Sequence, residues 1–229
     1  MTTLEAYENV LVELNKVEAP SLLLSDFNYF FMKSIFQYVN KGYNFYDMNQ
    51  QVSDSTNPLK KIVTLPLKDN KAKLDEDYMH VLGCKVGFDV INHCNETNLV
   101  EVGAIRLTAD ARAQVESNYY MRPSLKRPYY ILHNSAGQTE IEILSGNKDT
   151  YIANNVIVEY LKSPSQMILT EDQIEGLEDS QNMEFAEYAC YEIINELVKL
   201  IMENASDPRL QSYMPINQSI APAVSTAGK

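Results

Sequence analysis

The chain has 229 residues, 45% of them apolar, and 19 basic against 31 acidic side chains give it a net charge of −12. That length fills one large domain or a core domain carrying an inserted one, and the acidic balance excludes broad, charge-driven binding to nucleic acid or to an anionic membrane. No apolar run approaches the roughly 18 residues of a membrane span, and the start "MTTLEAYENV" carries Glu5 and Glu8 without a basic leader, so the expectation is a protein made in a reducing cytoplasm and used there or in an assembly built there.

Helical spacing opens the chain. Leu4, Tyr7, Leu11, Leu14 and Val17 recur on one face, and Thr2 with Glu5 fits a capping box, which predicts a first helix over 4–17. A second follows over 26–40, with Ser25 as cap, Phe27, Phe31, Ile35 and Val39 on its core stripe and Gly42 as its stop. A short helical turn is expected near Ser53 to Lys60, where Pro58 interrupts.

The period then changes from about 3.6 to about 2. "KIVTLPL", "YMHVLGCKVGFDVI", "LVEVGAIRL", "PYYILHN", "TEIEILSG" and "NVIVEYLK" are short β-rich runs separated by turn residues. They predict an antiparallel sheet or small barrel, crossed by one helix in "TADARAQVESN" with Thr108 as cap. A long last helix begins near Met183 and ends before Pro208. Phe185, Ala189, Ile193, Leu197, Leu200 and Ile201 form its buried stripe, and Glu184, Glu187, Glu192, Glu196 and Glu203 its wet faces. None of the terminal helices is stable alone. The expected fold class is therefore α+β, a helical bundle from the N- and C-terminal helices with an inserted antiparallel β-rich region. The expected division is residues 1–61 and 171–211 as the helical core, 62–170 as the insertion and 212–229 as an extended C-terminal arm.

Chemistry is sparse. The chain lacks GxxxxGK[ST], GxSxG and HExxH, and has eight glycines and three histidines, so neither a phosphate cradle nor a general base is marked and no catalytic residue is expected. Glu140 and Glu142 alternate on a strand and are read as neighbours on a solvated face. The three cysteines, Cys84, Cys94 and Cys190, have no CxxC spacing and are read as thiols. His80, Cys84, His93 and Cys94 fall close enough to suggest zinc, but strand alternation puts Cys84 on the face of His80 as a small core residue. No metal or cofactor is expected.

Charge is segregated along the chain. From Ser163 to Val198 there are nine acids and no lysine or arginine, whereas Ser117 to Asn134 holds Arg122, Lys126 and Arg127, four tyrosines and no acid. Complementary patches on opposite sides of one subunit join copies head to tail, and such contacts close into a ring when the rotation allows; solvated faces, or pairing within one subunit, explain the pattern equally well. Tyrosine and arginine anchor protein interfaces, so the aromatic, basic strip is read as an interface centred on Arg122, Lys126 and Arg127. The alternatives are an ordinary turn whose tyrosines fill a core, and a nucleic-acid-binding accessory protein that uses residues 119–134.

Three blocks carry a resemblance: "EAYENVLVELNKVEAPSLLLSDFNYFFMKSIFQYVNKGYNFYDMNQQ", "NYYMRPSLKRPYY", and "VEYLKSPSQMILT" with "MEFAEYACYEIINELVKLIMENASDPRLQSY". Together they resemble a ring protein of crAss-like Bacteroides phages, similar in turn to the tail adaptors of other short-tailed phages. The resemblance implies a structural virion protein, with about twelve copies forming a ring beneath the portal around the DNA channel. Its implied partners are its own copies, the portal protein, other connector or tail proteins, and DNA passing without sequence recognition; no membrane is involved. It maps interaction residues by block: Arg122, Pro123, Arg127, Pro128 and Tyr129; Tyr160, Lys162 and Pro164; Asp207 and Arg209. The arm, which has no charge before Lys229, is expected to order by docking Tyr213, Met214, Ile216 and Ile220 on a neighbour.

Overall fold

The computed structural model describes residues 1–14, 22–46, 50–91, 97–135, 137–146 and 151–205. Within them the chain is a mixed α+β protein with largely antiparallel sheets. It divides into two compact units, Met1–Pro58 with Pro164–Lys229, and Leu59–Ser163.

The first unit holds α1 (Thr3–Glu13), α2 (Leu24–Phe45) and α3 (Gln50–Thr56), followed by a 3-10 turn at Asn57–Leu59. Thr2 and Glu5 form the expected capping box, with Thr2 Oγ1 accepting from the Glu5 amide at 3.1 Å and Glu5 Oε2 accepting from the Thr2 amide at 2.8 Å. The buried face of α1 runs through Thr3, Ala6, Val10 and Leu14, leaving Leu4, Tyr7 and Leu11 half-buried at its flank. The expected stripe is thus rotated toward Thr3, Ala6 and Val10. Val17 lies outside the described residues. α2 buries Phe27, Phe31, Ile35 and Val39 as expected. It differs at both ends: Ser25 lies inside the helix, whose N-cap is Leu23 without a side-chain bond, and the helix runs through Gly42 to Phe45. The buried stripe itself stops at Val39, so the extra residues at each end rest on helix propagation from a packed centre, against which single start and stop residues are weak.

The last helix, written α6 (Glu187–Asn204), starts four residues later than expected. It buries pairs on successive turns, Ala189 with Cys190, Ile193 with Ile194, Leu197 with Val198 and Ile201 with Met202, because both α1 and α2 pack on it. Leu200 is only half-buried. The chain leading into α6 is tied to the start of α1, through the Thr3 amide donating to the Gln181 carbonyl at 2.8 Å and the Met183 amide to the Met1 carbonyl at 3.0 Å. Before it, the Asn28 side chain exchanges two 2.9 Å hydrogen bonds with the backbone of Leu169. Four residues that the sequence did not mark as helical, α5 (Glu171–Ile174), carry their own capping box between Thr170 and Gln173.

The second unit contains β1 (Lys60–Pro66), β2 (Lys71–Lys73), β3 (Tyr78–Ile91), β4 (Thr97–Gly103), β5 (Ile105–Arg106), α4 (Ala109–Ser117), β6 (Tyr129–Ser135), β7 (Gln138–Leu144) and β8 (Tyr151–Lys162). One four-stranded sheet has the order β1-β8-β3-β4 and the other β2-β7-β6-β5, with β5 parallel to β6 and every other pair antiparallel. The single run expected over "LVEVGAIRL" bends at Ala104, whose amide donates to the Cys84 carbonyl at 2.8 Å, while the next amide, Ile105, donates to Pro128 of the other sheet at 3.0 Å. One segment thereby edges both sheets. Val81, Cys84, Val86, Phe88, Val156, Val158 and Tyr160 of the first sheet share a core with Tyr130, Ile141 and Ile143 of the second. On the far side of β6, Tyr129 and Ile131 meet Val115 and Ala111 of α4. A strand covered on both faces loses the polar alternation of a half-exposed one, which explains the run of buried residues at Tyr129, Tyr130 and Ile131.

Two strand parities depart from simple alternation. Register shifts between Val81 and Gly83 on β3 place Val81 and Cys84 on the same core face, so His80 falls on the face opposite Cys84 rather than beside it. Burial pushes the Cys84 thiol up to about 12, as suits a packing residue. His93 and Cys94 lie outside the described residues. Glu140 and Glu142 do share a face, but Glu142 is bound by Arg112 of α4 at 3.1 Å and Glu140 lies 3.4 Å from His133, so the cover of α4 removes the fully solvated face expected for them.

Candidate functional site

The basic, aromatic strip is divided by the fold into an exposed half and a buried half. Residues 118–128 form a projecting turn between α4 and β6, here called the tip. At its start the Asn118 side chain accepts from the Tyr120 amide at 3.0 Å and its carbonyl from the Met121 amide at 3.1 Å. At its base Ser124 and Arg127 exchange two backbone hydrogen bonds of 3.2 and 3.0 Å. Arg127 Nη1 spans the turn to the Tyr120 carbonyl at 3.2 Å. These bonds fix the backbone and leave the side chains of residues 118–122, Lys126 and Arg127 exposed, while Leu125 packs on the core and Pro128 is buried.

Tyr119 and Tyr120 are 78% and 86% exposed and meet edge to face at 5.6 Å, with Met121 also exposed. Arg122, Lys126 and Arg127 are exposed beside them, and none of the three has a carboxylate partner among the described residues. Exposed aromatic rings on a backbone fixed by short-range hydrogen bonds bury large area on contact, and each has only two side-chain torsions to order. Next to the tip lies a depression of about 530 Å³, bordered by Asn70, Glu116, Arg122, Pro123, Ser145 and Gly146 among others. The Ser145 hydroxyl on its wall is buried and has no hydrogen-bond partner.

Two residues assigned to the interface are corrected. Tyr129 is 3% exposed and fills the space under α4. Tyr160 is wholly buried, its hydroxyl donating to Asp77 Oδ1 at 2.8 Å and reaching Asp75 Oδ2 at 3.1 Å. Neither ring reaches a surface, since β6 and β8 are central strands whose inward positions these residues occupy. Pro128 and Pro164 are likewise buried. Lys162 is half-buried at the end of β8. Asp207, Arg209, Tyr213, Met214, Ile216 and Ile220 lie outside the described residues.

The acidic segment also resolves into parts. Glu196 lies 2.9 Å from Lys41 and 3.3 Å from Lys199. Glu192 is half-buried, and burial pushes its carboxyl above the usual range, opposed by a hydrogen bond from Tyr38 and reinforced by the charge of Glu196. Five acids remain exposed around α5: Glu171, Asp172, Glu175, Glu178 and Asp179. None has a cationic partner among the described residues. The loop that carries them is well ordered by its own bonds, with the Leu177 amide on the Asp172 carbonyl at 2.8 Å and buried Gln173 donating to the Asp179 carbonyl at 3.2 Å. Ile174 and Leu177, 41% and 71% exposed, stand among the acids. The acids were legible in the sequence; the exposure of the two aliphatic side chains, which flank the turn at Gly176, φ +75°, was not.

Among the described residues no cluster of histidine, cysteine and carboxylate side chains is arranged to hold a metal ion, and no helix is long and apolar enough to cross a membrane. No protein-family model matches the chain, and no curated protein sequence matches it.

Proposed function

We propose that the chain is a structural subunit of a phage virion, forming a ring of about twelve copies in the portal–tail connector of a short-tailed phage. In this reading the N- and C-terminal helices form a bundle that carries the β-rich unit as an insertion. Its partners are its own copies, the portal protein and other connector or tail proteins, and DNA passes through the channel without sequence recognition. The resemblance of the three sequence blocks supplies the virion context. The observation that carries self-assembly is the coexistence, on one chain, of an exposed cationic aromatic tip and an exposed acidic loop, neither neutralised among the described residues. A surface of each sign is what head-to-tail joining requires. An acidic chain also suits a channel wall, which repels phosphate and lets DNA slide.

The exposed faces of Tyr119 and Tyr120 beside three cations favour one second reading, an accessory protein that stacks these rings on single-stranded bases. One pair of measurements separates the two. Mixed with the portal protein of its phage, the chain is expected to enter a discrete ring visible by electron microscopy and to show no gel shift of DNA at low salt. A salt-sensitive shift without a ring overturns the structural reading.

A further inference from the structure

We infer that the tip of one copy docks on the acidic loop of a second copy, setting Tyr119 and Tyr120 against Ile174 and Leu177 within a ring of opposite charges. The inference deepens the proposed function and rests on its self-assembly part. The two surfaces match in kind as well as in sign. Each is an exposed apolar pair, aromatic on the tip and aliphatic on the loop, surrounded by charges of one sign: Arg122, Lys126 and Arg127 on the first, Glu171, Asp172, Glu175, Glu178 and Asp179 on the second. An apolar centre inside a charged rim is the arrangement of a specific protein interface, in which the centre supplies affinity and the rim supplies orientation.

Both surfaces are held in shape by bonds within their own turns, the tip by Asn118 and the Ser124 to Arg127 pair, the loop by Gln173. Little ordering therefore remains to oppose association. The depression beside the tip adds a polar feature. Ser145 Oγ is buried there without a partner, next to Arg122. A carboxylate of the second copy at the rim of the depression would pair with the Arg122 guanidinium, which has no carboxylate partner among the described residues. Because tip and loop are different patches, the contact is heterologous, and successive copies either close into a ring or extend into a filament.

Sedimentation velocity of the full chain tests the inference with two exposed double variants, Lys126→Glu with Arg127→Glu on the tip and Glu175→Lys with Glu178→Lys on the loop, each checked for folding by circular dichroism. The wild-type chain is expected to self-associate, more weakly as salt rises. Each variant alone should lose at least about tenfold in affinity, and an equimolar mixture of the two should regain association, since each restores the opposite charge to the other. Leu177→Ser should weaken association without changing its salt dependence. Association unaffected by either reversal, or a mixture that fails to recover, overturns the docking and leaves the ring reading standing. A wild-type chain that stays monomeric at every concentration also overturns it, and counting the chain in purified virions then tests the ring separately.

Discussion

Gly146 faces the backbone carbonyl of Pro123 so closely that a Cβ at position 146 would overlap it. The contact ties the end of β7 to the tip, and Gly146 holds a left-handed conformation, φ +82°, that other residues adopt at a cost. Gly146→Ala should destabilise the chain by about 3 kcal/mol, from left-handed strain and from displacement of backbone that has no side-chain freedom to yield. Gly137→Ala is the control. It has φ +83° and open space around it, so it should cost only about 1 kcal/mol. Urea denaturation of both variants measures the difference.

The division of the strip into an outer and an inner half predicts opposite outcomes for two tyrosines nine positions apart. Tyr120→Ala should leave stability within about 0.5 kcal/mol of wild type, because the ring is exposed. Tyr129→Ala should cost about 3 kcal/mol, because it empties the space between β6 and α4. Equal denaturation midpoints for the two would contradict the placement of β6 under α4.

Lys61 Nζ holds Asp75 and Asp77 at 2.8 and 2.9 Å, and hydrogen bonds from Lys61 first and Tyr160 second keep the Asp75 carboxyl below its usual range. A carboxyl lowered by folding contributes stability above its unfolded value of about 3.9, and that contribution is lost as pH falls through the lower folded value. The hydrogen bonds of Asp75 and then Asp77 raise Lys61, whose contribution is present below about 10.4 and lost as pH rises through its folded value. Lys61→Met should therefore flatten both the acid and the alkaline limb of the stability profile. Tyr160→Phe should cost about 1–2 kcal/mol at neutral pH, the price of buried hydroxyl bonds.

Glu192 titrates in the other sense. Burial raises its carboxyl, so the folded chain binds that proton more tightly, and stability falls as pH rises from the unfolded value of about 4.3 through the folded one. Glu192→Gln should raise the urea midpoint at pH ~7 and leave it little changed at pH ~4. A variant less stable at neutral pH would show that the Tyr38 bond outweighs desolvation.

Leu197 is fully buried on α6, facing the side on which both α1 and α2 pack. Leu197→Ala should cost about 3 kcal/mol through lost transfer energy and the cavity left behind, whereas Leu177→Ala, on the exposed loop, should leave the midpoint nearly unchanged.

Periodicity by itself determined the element types: the helices of the two ends, the capping box of Thr2 and Glu5, the core stripe of α2 and most strands of the middle were legible because apolar spacing is a local property. Element ends were not. Ser25 and Gly42 carry ordinary start and stop signals, yet α2 runs past both, since single-residue preferences are weak against a helix already held by its core stripe. Pairing decided more. The bulge between Val81 and Gly83 reversed the parity that joined His80 to Cys84, and a bend at Ala104 sent one apparent strand into two sheets. The charges of the candidate surface were readable in the sequence, but whether a given tyrosine faces water was not. Tyr119 and Tyr120 are outside and Tyr129 and Tyr130 inside although all four belong to one short strip, because exposure is set by what packs against each face of β6, and α4 and the facing sheet meet it only in the folded chain.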